Sequence, residues 1–201
     1  MLWCDPRFFA NDEKVLRQYL GPGDTFVDVG ANIGALSLTA SGIVGEAGRV
    51  FSVEAHPQTV DYLRGNIKLN NASNVAVIHA AAGDHVGVVN FSSGRSDDQN
   101  RVTDSGIPVP LRTLDSLIPD TPVRMLKIDV EGFELFALRG AERLLQRTDM
   151  IYFESWESHF NKYRYSTTDV LAFLAKHGFE VARPANYKSL KCENLLAVRA
   201  T

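Results

Sequence analysis

The chain has 201 residues, 45% of them hydrophobic, and a formal net charge of −3. That is enough for one well-buried domain and short for two. The acidic balance argues against nucleic acid and against an anionic membrane as partners, and no run approaches the ~18 apolar residues of a bilayer-spanning helix. Arg139, Arg143 and Arg147 recur every four residues and would form a stripe on a helix, most simply a solvated face. Cys4 and Cys192 stand near opposite ends in no zinc-like spacing. Two thiols in a chain of this size fit a reducing cytoplasm, with a disulfide between them left open. Asp5, Arg7, Asp12 and Glu13 interrupt any signal-peptide core. The expectation is one cytoplasmic domain over 1–201, with a helical segment at 1–23 and the core at 24–201.

Strand-like and helix-like segments alternate from there. Residues 26–30 read as a strand and 34–43 as its helix, stopped by Gly45 and Gly48. A strand at 50–53 ends at Glu54, and Pro57 suits the first turn of a helix running to about Asn70. Residues 75–81 read as a third strand, and 86–91 as an extra one. The segment 92–106 is polar and rich in Gly, Ser and Asp, a loop candidate. A short strand at 109–112 precedes a small helix at 114–118. A strand at 124–130 is followed by one helix over 133–146 and a strand at 150–154. Ser166 to Asp169 offer N-cap residues for a helix at 168–177, which Gly178 ends. Strands at 179–182 and 195–198 can pair antiparallel. This alternation indicates an α/β fold, a mostly parallel sheet with helices on both faces. Ligands in such sheets bind at the carboxyl ends of the strands.

The first strand and the loop after it read Phe26-Val27-Asp28-Val29-Gly30-Ala31-Asn32-Ile33-Gly34. An apolar run breaks into a glycine loop that opens a helix. The spacing is G-x-x-x-G, neither the dinucleotide fingerprint nor a phosphate loop. The loop carries no Lys or Arg. A ligand with little phosphate fits better, and S-adenosylmethionine (SAM) is such a ligand. Carboxylates stand at or near four strand ends: Asp28, Glu54, Asp129 and Glu154. Glu54 is placed to accept ribose hydroxyls, or else caps the next helix. Asp28 accepts from the ligand's ammonium, or braces the loop. Asn32 offers a donor or an acceptor. His56 lines the adenosine side or sits exposed, and Ala81 and Ala82 leave room for an adenine ring. Lys127 and Asp129 break the apolar run of their strand, as an ion pair or as a functional feature.

These segments resemble the FkbM-type family of SAM-dependent methyltransferases. The resemblance rests on 26–34, on Val53-Glu54-Ala55-His56-Pro57, and above all on Leu126-Lys127-Ile128-Asp129-Val130-Glu131-Gly132-Phe133-Glu134. Leu114-Asp115-Ser116-Leu117 before it and Phe153-Glu154 after it fall in the expected order, so the likeness covers roughly 24–182. It implies a Rossmann-like class I methyltransferase fold, seven-stranded, with a reversed last strand. It also implies methyl transfer to a hydroxyl of a sugar or natural product. Asp28, Gly30, Asn32, Gly34 and Glu54 would then hold SAM, and Ala31, His56, Ala81 and Ala82, placed beside them by the reading of the residues, complete the candidate cofactor set. Asp129, Glu131 and Glu154 would face the reaction centre. The acceptor loses its proton to Asp129, with Glu131 or Glu154 orienting it. In a second mechanism Asp129 and Glu154, with one more carboxylate, hold Mg²⁺ or another divalent ion. His159 would join as ligand or base, or lie on the surface. A non-catalytic SAM- or nucleoside-binding module, or a methyltransferase on RNA or protein, are the rival readings. The sequence is silent on oligomeric state.

Overall fold

The computed structural model describes residues 10–91, 102–103, 105–182 and 193–200. Cys4, Cys192, Asp5, Arg7 and most of the 92–106 segment lie outside the described residues. The first helix, α1, is Ala10–Tyr19. The main sheet is built from β1 (Thr25–Val29), β2 (Arg49–Glu54), β3 (Val75–His79), β8 (Val123–Ile128), β9 (Thr148–Ser155), β10 (Phe179–Ala182) and β11 (Glu193–Arg199). Its order is β10-β11-β9-β8-β1-β2-β3. Every pairing is parallel except those of β11, which is inserted antiparallel between β9 and β10. The reversed strand expected from the sequence is therefore present. The order turns between β1 and β8, so the switch point lies where the glycine loop leaves β1.

Alternation along the strands divides the core between the two faces of the sheet. Phe26, Val50, Met125 and Tyr152 pack with α1 and with α2 (Ala35–Val44). Val27, Val29, Leu126, Ile128, Ile151 and Phe153 pack on the other face. There they meet α5 (Glu134–Arg139), α6 (Glu142–Gln146) and α8 (Thr167–Lys176). Helix α3 is Pro57–Leu69, with proline in its first turn as expected. Ser166 caps α8 in a reciprocal box with Asp169.

Three expected elements are corrected. The 75–81 strand stops at His79. Ala80 donates its N–H to the Glu54 carbonyl, and β4 (Ala81–Ala82) changes partner to join a second sheet. That sheet, ordered β4-β7-β5-β6, contains β5 (Gly87–Phe91), β6 (Val102–Thr103) and β7 (Ile107–Arg112). The 124–130 strand ends at Ile128, because positive φ at Glu131 and Gly132 turns the chain away. The 133–146 helix is two helices broken at Gly140 and Ala141. A Cβ at Gly140 would lie 1.9 Å from the Gly83 carbonyl oxygen, so only glycine fits this contact. The break also dissolves the arginine stripe. Arg139 lies over the Phe136 ring, Arg143 pairs with Asp115, and Arg147 reaches Asp120 and the Ile118 and Pro119 carbonyls.

Among the described residues, no helix is long and apolar enough to cross a membrane.

Candidate active site

The glycine loop is held by its own backbone. Gly30 and Ala31 donate to the Val53 carbonyl at 2.9 and 3.1 Å, and Gly34 donates to Ala31. Asn32 sits at φ 51°, where its side-chain oxygen accepts from the Ile33 N–H. Gly30 has φ 80°, and a Cβ there would meet the Asp129 carbonyl oxygen at 1.8 Å. Gly34, at φ 93°, would meet Leu63. Gly30 is thus required by close backbone packing and a left-handed backbone, and Gly34 first by its left-handed backbone.

Glu54 ends β2 beneath this loop. One carboxyl oxygen accepts from Asn32 N–H at 2.9 Å, the other from the N–H groups of Ala55 and His56, also at 2.9 Å. Burial pushes its pKa up, against those three bonds, which lower it. His56 is buried rather than exposed, with Nδ1 3.4 Å from the Thr59 hydroxyl. Ala81 and Ala82 are buried at the start of the second sheet.

Asp28 is fully buried, and its Cα partner across the parallel register is Lys127. The Lys127 ammonium lies 3.2 Å from Asp28 Oδ1 and 3.5 Å from Asp129 Oδ2. Asp28 Oδ2 accepts from Ser37 Oγ at 2.6 Å, and Ser37 accepts from Ser52. Burial pulls the lysine pKa down, but Asp28 and then Asp129 outweigh it and hold the group above its ordinary range. Lys127 and Asp129 are therefore ion-paired, and Asp28 is the closer partner.

After β8 the chain passes through Asp129, Val130, Glu131 and Gly132. Asp129 keeps one bond to the sheet, donating its N–H to the Val29 carbonyl at 3.0 Å. Its side chain is 39% exposed. The turn is braced by Glu134, the last residue of the 126–134 motif. Glu134 is fully buried, and Oε1 accepts from Val130 N–H at 3.0 Å and Gly132 N–H at 3.3 Å. Tyr165 donates to the Gly132 carbonyl at 2.6 Å and lies 3.4 Å from Glu134 Oε2. An acid at the first position of a helix two residues after a glycine was the available signal.

Burial pushes the Glu134 carboxyl up to about 7, against the bond from Val130 that lowers it. The folded chain then binds this proton more tightly than the unfolded chain. Stability from this group is highest below the ordinary value of 4.5 and falls as pH rises to about 7. Glu134→Gln keeps the acceptor oxygen and removes the titration. The variant is expected to gain on the parent by on the order of 3 kcal/mol between about pH 5 and about pH 8. Urea unfolding at both values measures this; parallel pH dependences would refute it.

Glu131, Glu154 and His159 come together across three segments. Glu131 sits at φ 56° in the turn, Glu154 is the seventh residue of the eight in β9, and His159 is in α7 (Glu157–Phe160). Glu131 Oε2 is 3.2 Å from His159 Nδ1, and one donor atom from each of the three lies within 4.8 Å of the others. His159 is only 9% exposed, with its ring stacked on Trp156 at 3.8 Å. It is therefore not the surface histidine that its sequence position allowed. Asp129 is not in this group.

Comparisons with known proteins agree with the fold. Residues 28–181 match the Methyltransferase FkbM domain family. A "Probable cobalt-precorrin-6B C(15)-methyltransferase (decarboxylating)" of Sulfolobus acidocaldarius is 38% identical over 68 residues. That match covers 34% of this chain and 35% of the relative, so the chain spans about a third of its length. A SAM-dependent methyltransferase structure from Aquifex aeolicus superposes with TM-score 0.64 at 20% identity, over 98% of this chain and 94% of that one. An FkbM methyltransferase structure from Methylobacillus flagellatus superposes with TM-score 0.60 at 18% identity, over 96% and 52%. Those superpositions carry the class I methyltransferase fold, and the sequence match carries the family. The chain belongs to the FkbM methyltransferase family.

Proposed function

We propose that this chain methylates a hydroxyl of a small molecule, a sugar or natural-product alcohol. The observation that carries the reading is the position of Asp129. Its backbone carbonyl fills the space beside Gly30, while its carboxyl group pairs with Lys127 and stays 39% exposed. A proton acceptor and the cofactor loop are thereby fixed to each other.

The residues fit SAM. A buried carboxyl at Glu54 suits ribose hydroxyls, and the loop from Gly30 through Ala31 and Asn32 to Gly34 carries no cation for phosphate. Asp28 braces that loop from below through Lys127, which lies 3.5 Å from the Gly30 carbonyl. His56, Ala81 and Ala82 line the adenosine side. SAM, when bound, supplies a methyl carbon activated by a sulfonium. Asp129 would take the hydroxyl proton through its part-exposed carboxyl group as the acceptor oxygen receives that methyl group. Glu131 and Glu154 orient the hydroxyl. Such alignment contributes several kcal/mol, on the order of 7–11 in the best cases.

The test is transfer from labelled SAM into a panel of sugars, natural-product alcohols, RNA and peptides. Label is expected on a small-molecule hydroxyl. Label confined to RNA or peptide, or no transfer at all, would overturn the reading.

A further inference from the structure

We propose that Glu131, Glu154 and His159 form a binding site for one divalent cation at the acceptor end of the sheet. The expected pair for a metal was Asp129 with Glu154. Asp129 already faces the Lys127 ammonium at 3.5 Å, whereas Glu154 shares a corner with Glu131 and an imidazole.

The three donors come from a turn, a strand and a helix, so no local pattern explains their meeting. Two carboxylates and one imidazole are donor types that divalent ions such as Mn²⁺ and Zn²⁺ take. Metal–ligand distances near ~2.1 Å put donors of one ion up to ~4 Å apart. The present limit of 4.8 Å therefore asks only a small inward movement.

The cluster is also prebuilt. A Cβ at Gly132 would lie 2.9 Å from the His159 carbonyl oxygen, so the turn and α7 abut backbone to backbone. Stacking on Trp156 holds the imidazole plane. Glu134 and Tyr165 brace the turn from beneath. One imidazole with two carboxylates favours Mn²⁺ or Zn²⁺ over Ca²⁺. Three protein ligands leave positions for an acceptor oxygen, which the ion would orient and acidify. This use of the ion rests on the methyl-transfer reading above; the binding itself does not.

The test is titration of the chelator-treated full chain with MnCl₂ and with ZnCl₂, without acceptor, followed by calorimetry and by loss of the free Mn²⁺ resonance signal. One ion per chain is expected. Glu154→Gln and His159→Gln are expected to weaken it by about 10–100-fold or more, with circular dichroism and melting unchanged. Glu157→Gln, which alters an exposed carboxylate of α7 bonded to Thr167, should leave affinity unchanged. Asp129→Asn should also leave it unchanged; a comparable loss there would overturn this ligand set. No saturable binding, or binding indifferent to both Glu154→Gln and His159→Gln, would leave only a Glu–His ion pair and overturn the proposal. A chain inactive on every acceptor would refute the methyl-transfer reading without touching this result.

Discussion

Asp129→Asn is expected to stop methyl transfer while SAM still binds. Asparagine has the same shape but cannot take the acceptor's proton. Loss of a general base lowers turnover by about 10²–10⁴-fold. The cofactor side should be spared, because Asp129 touches the loop through its backbone carbonyl beside Gly30, not through its carboxyl group. Stability should change little, since Lys127 keeps Asp28 at 3.2 Å. Calorimetry with SAM and a labelled-methyl assay read the two effects separately. Turnover retained in the variant would remove Asp129 from the mechanism. Loss of SAM binding together with turnover would show that it acts on the loop instead.

Lys127→Met is expected to be the most damaging single change to stability. It leaves the Asp28 carboxylate fully buried, with Ser37 as its hydrogen-bond donor and no cation beside it. Breaking a buried ion pair from one side costs about 3–5 kcal/mol. Adding Asp28→Asn removes the stranded charge and keeps an oxygen for Ser37. The double variant should therefore recover much of the loss, a coupling that independent sites do not show. Urea unfolding of the parent, both single variants and the double variant measures it. Additive losses would mean that the pair does not act as a unit. SAM affinity should fall with Lys127→Met, because the ammonium also lies under the Gly30 carbonyl.

Much of this architecture was legible in local patterns. Phe26 to Val29 is an apolar run broken by one acid and then by glycine, and it is β1. Pro57 and Ser166 mark helix starts where proline and serine are favoured for stated reasons. The elements misjudged share one feature. At Gly140 a long helical pattern breaks because the Gly83 backbone comes within a Cβ's reach. After His79 the chain leaves one sheet for another, although apolar character continues through Ala82. Neither neighbour is close in sequence, so neither leaves a local trace.

The same division runs through the site. The sequence by itself determined the loop that follows β1, the carboxylates at the strand ends, the reversed strand and the family. Those depend on residue type and spacing within one or two turns of chain. Only the tertiary structure decided that Asp28 faces Lys127, that Glu134 is buried beneath the turn, and that Glu131, Glu154 and His159 share a corner. These contacts follow from strand register and helix docking, which bring together segments far apart in sequence.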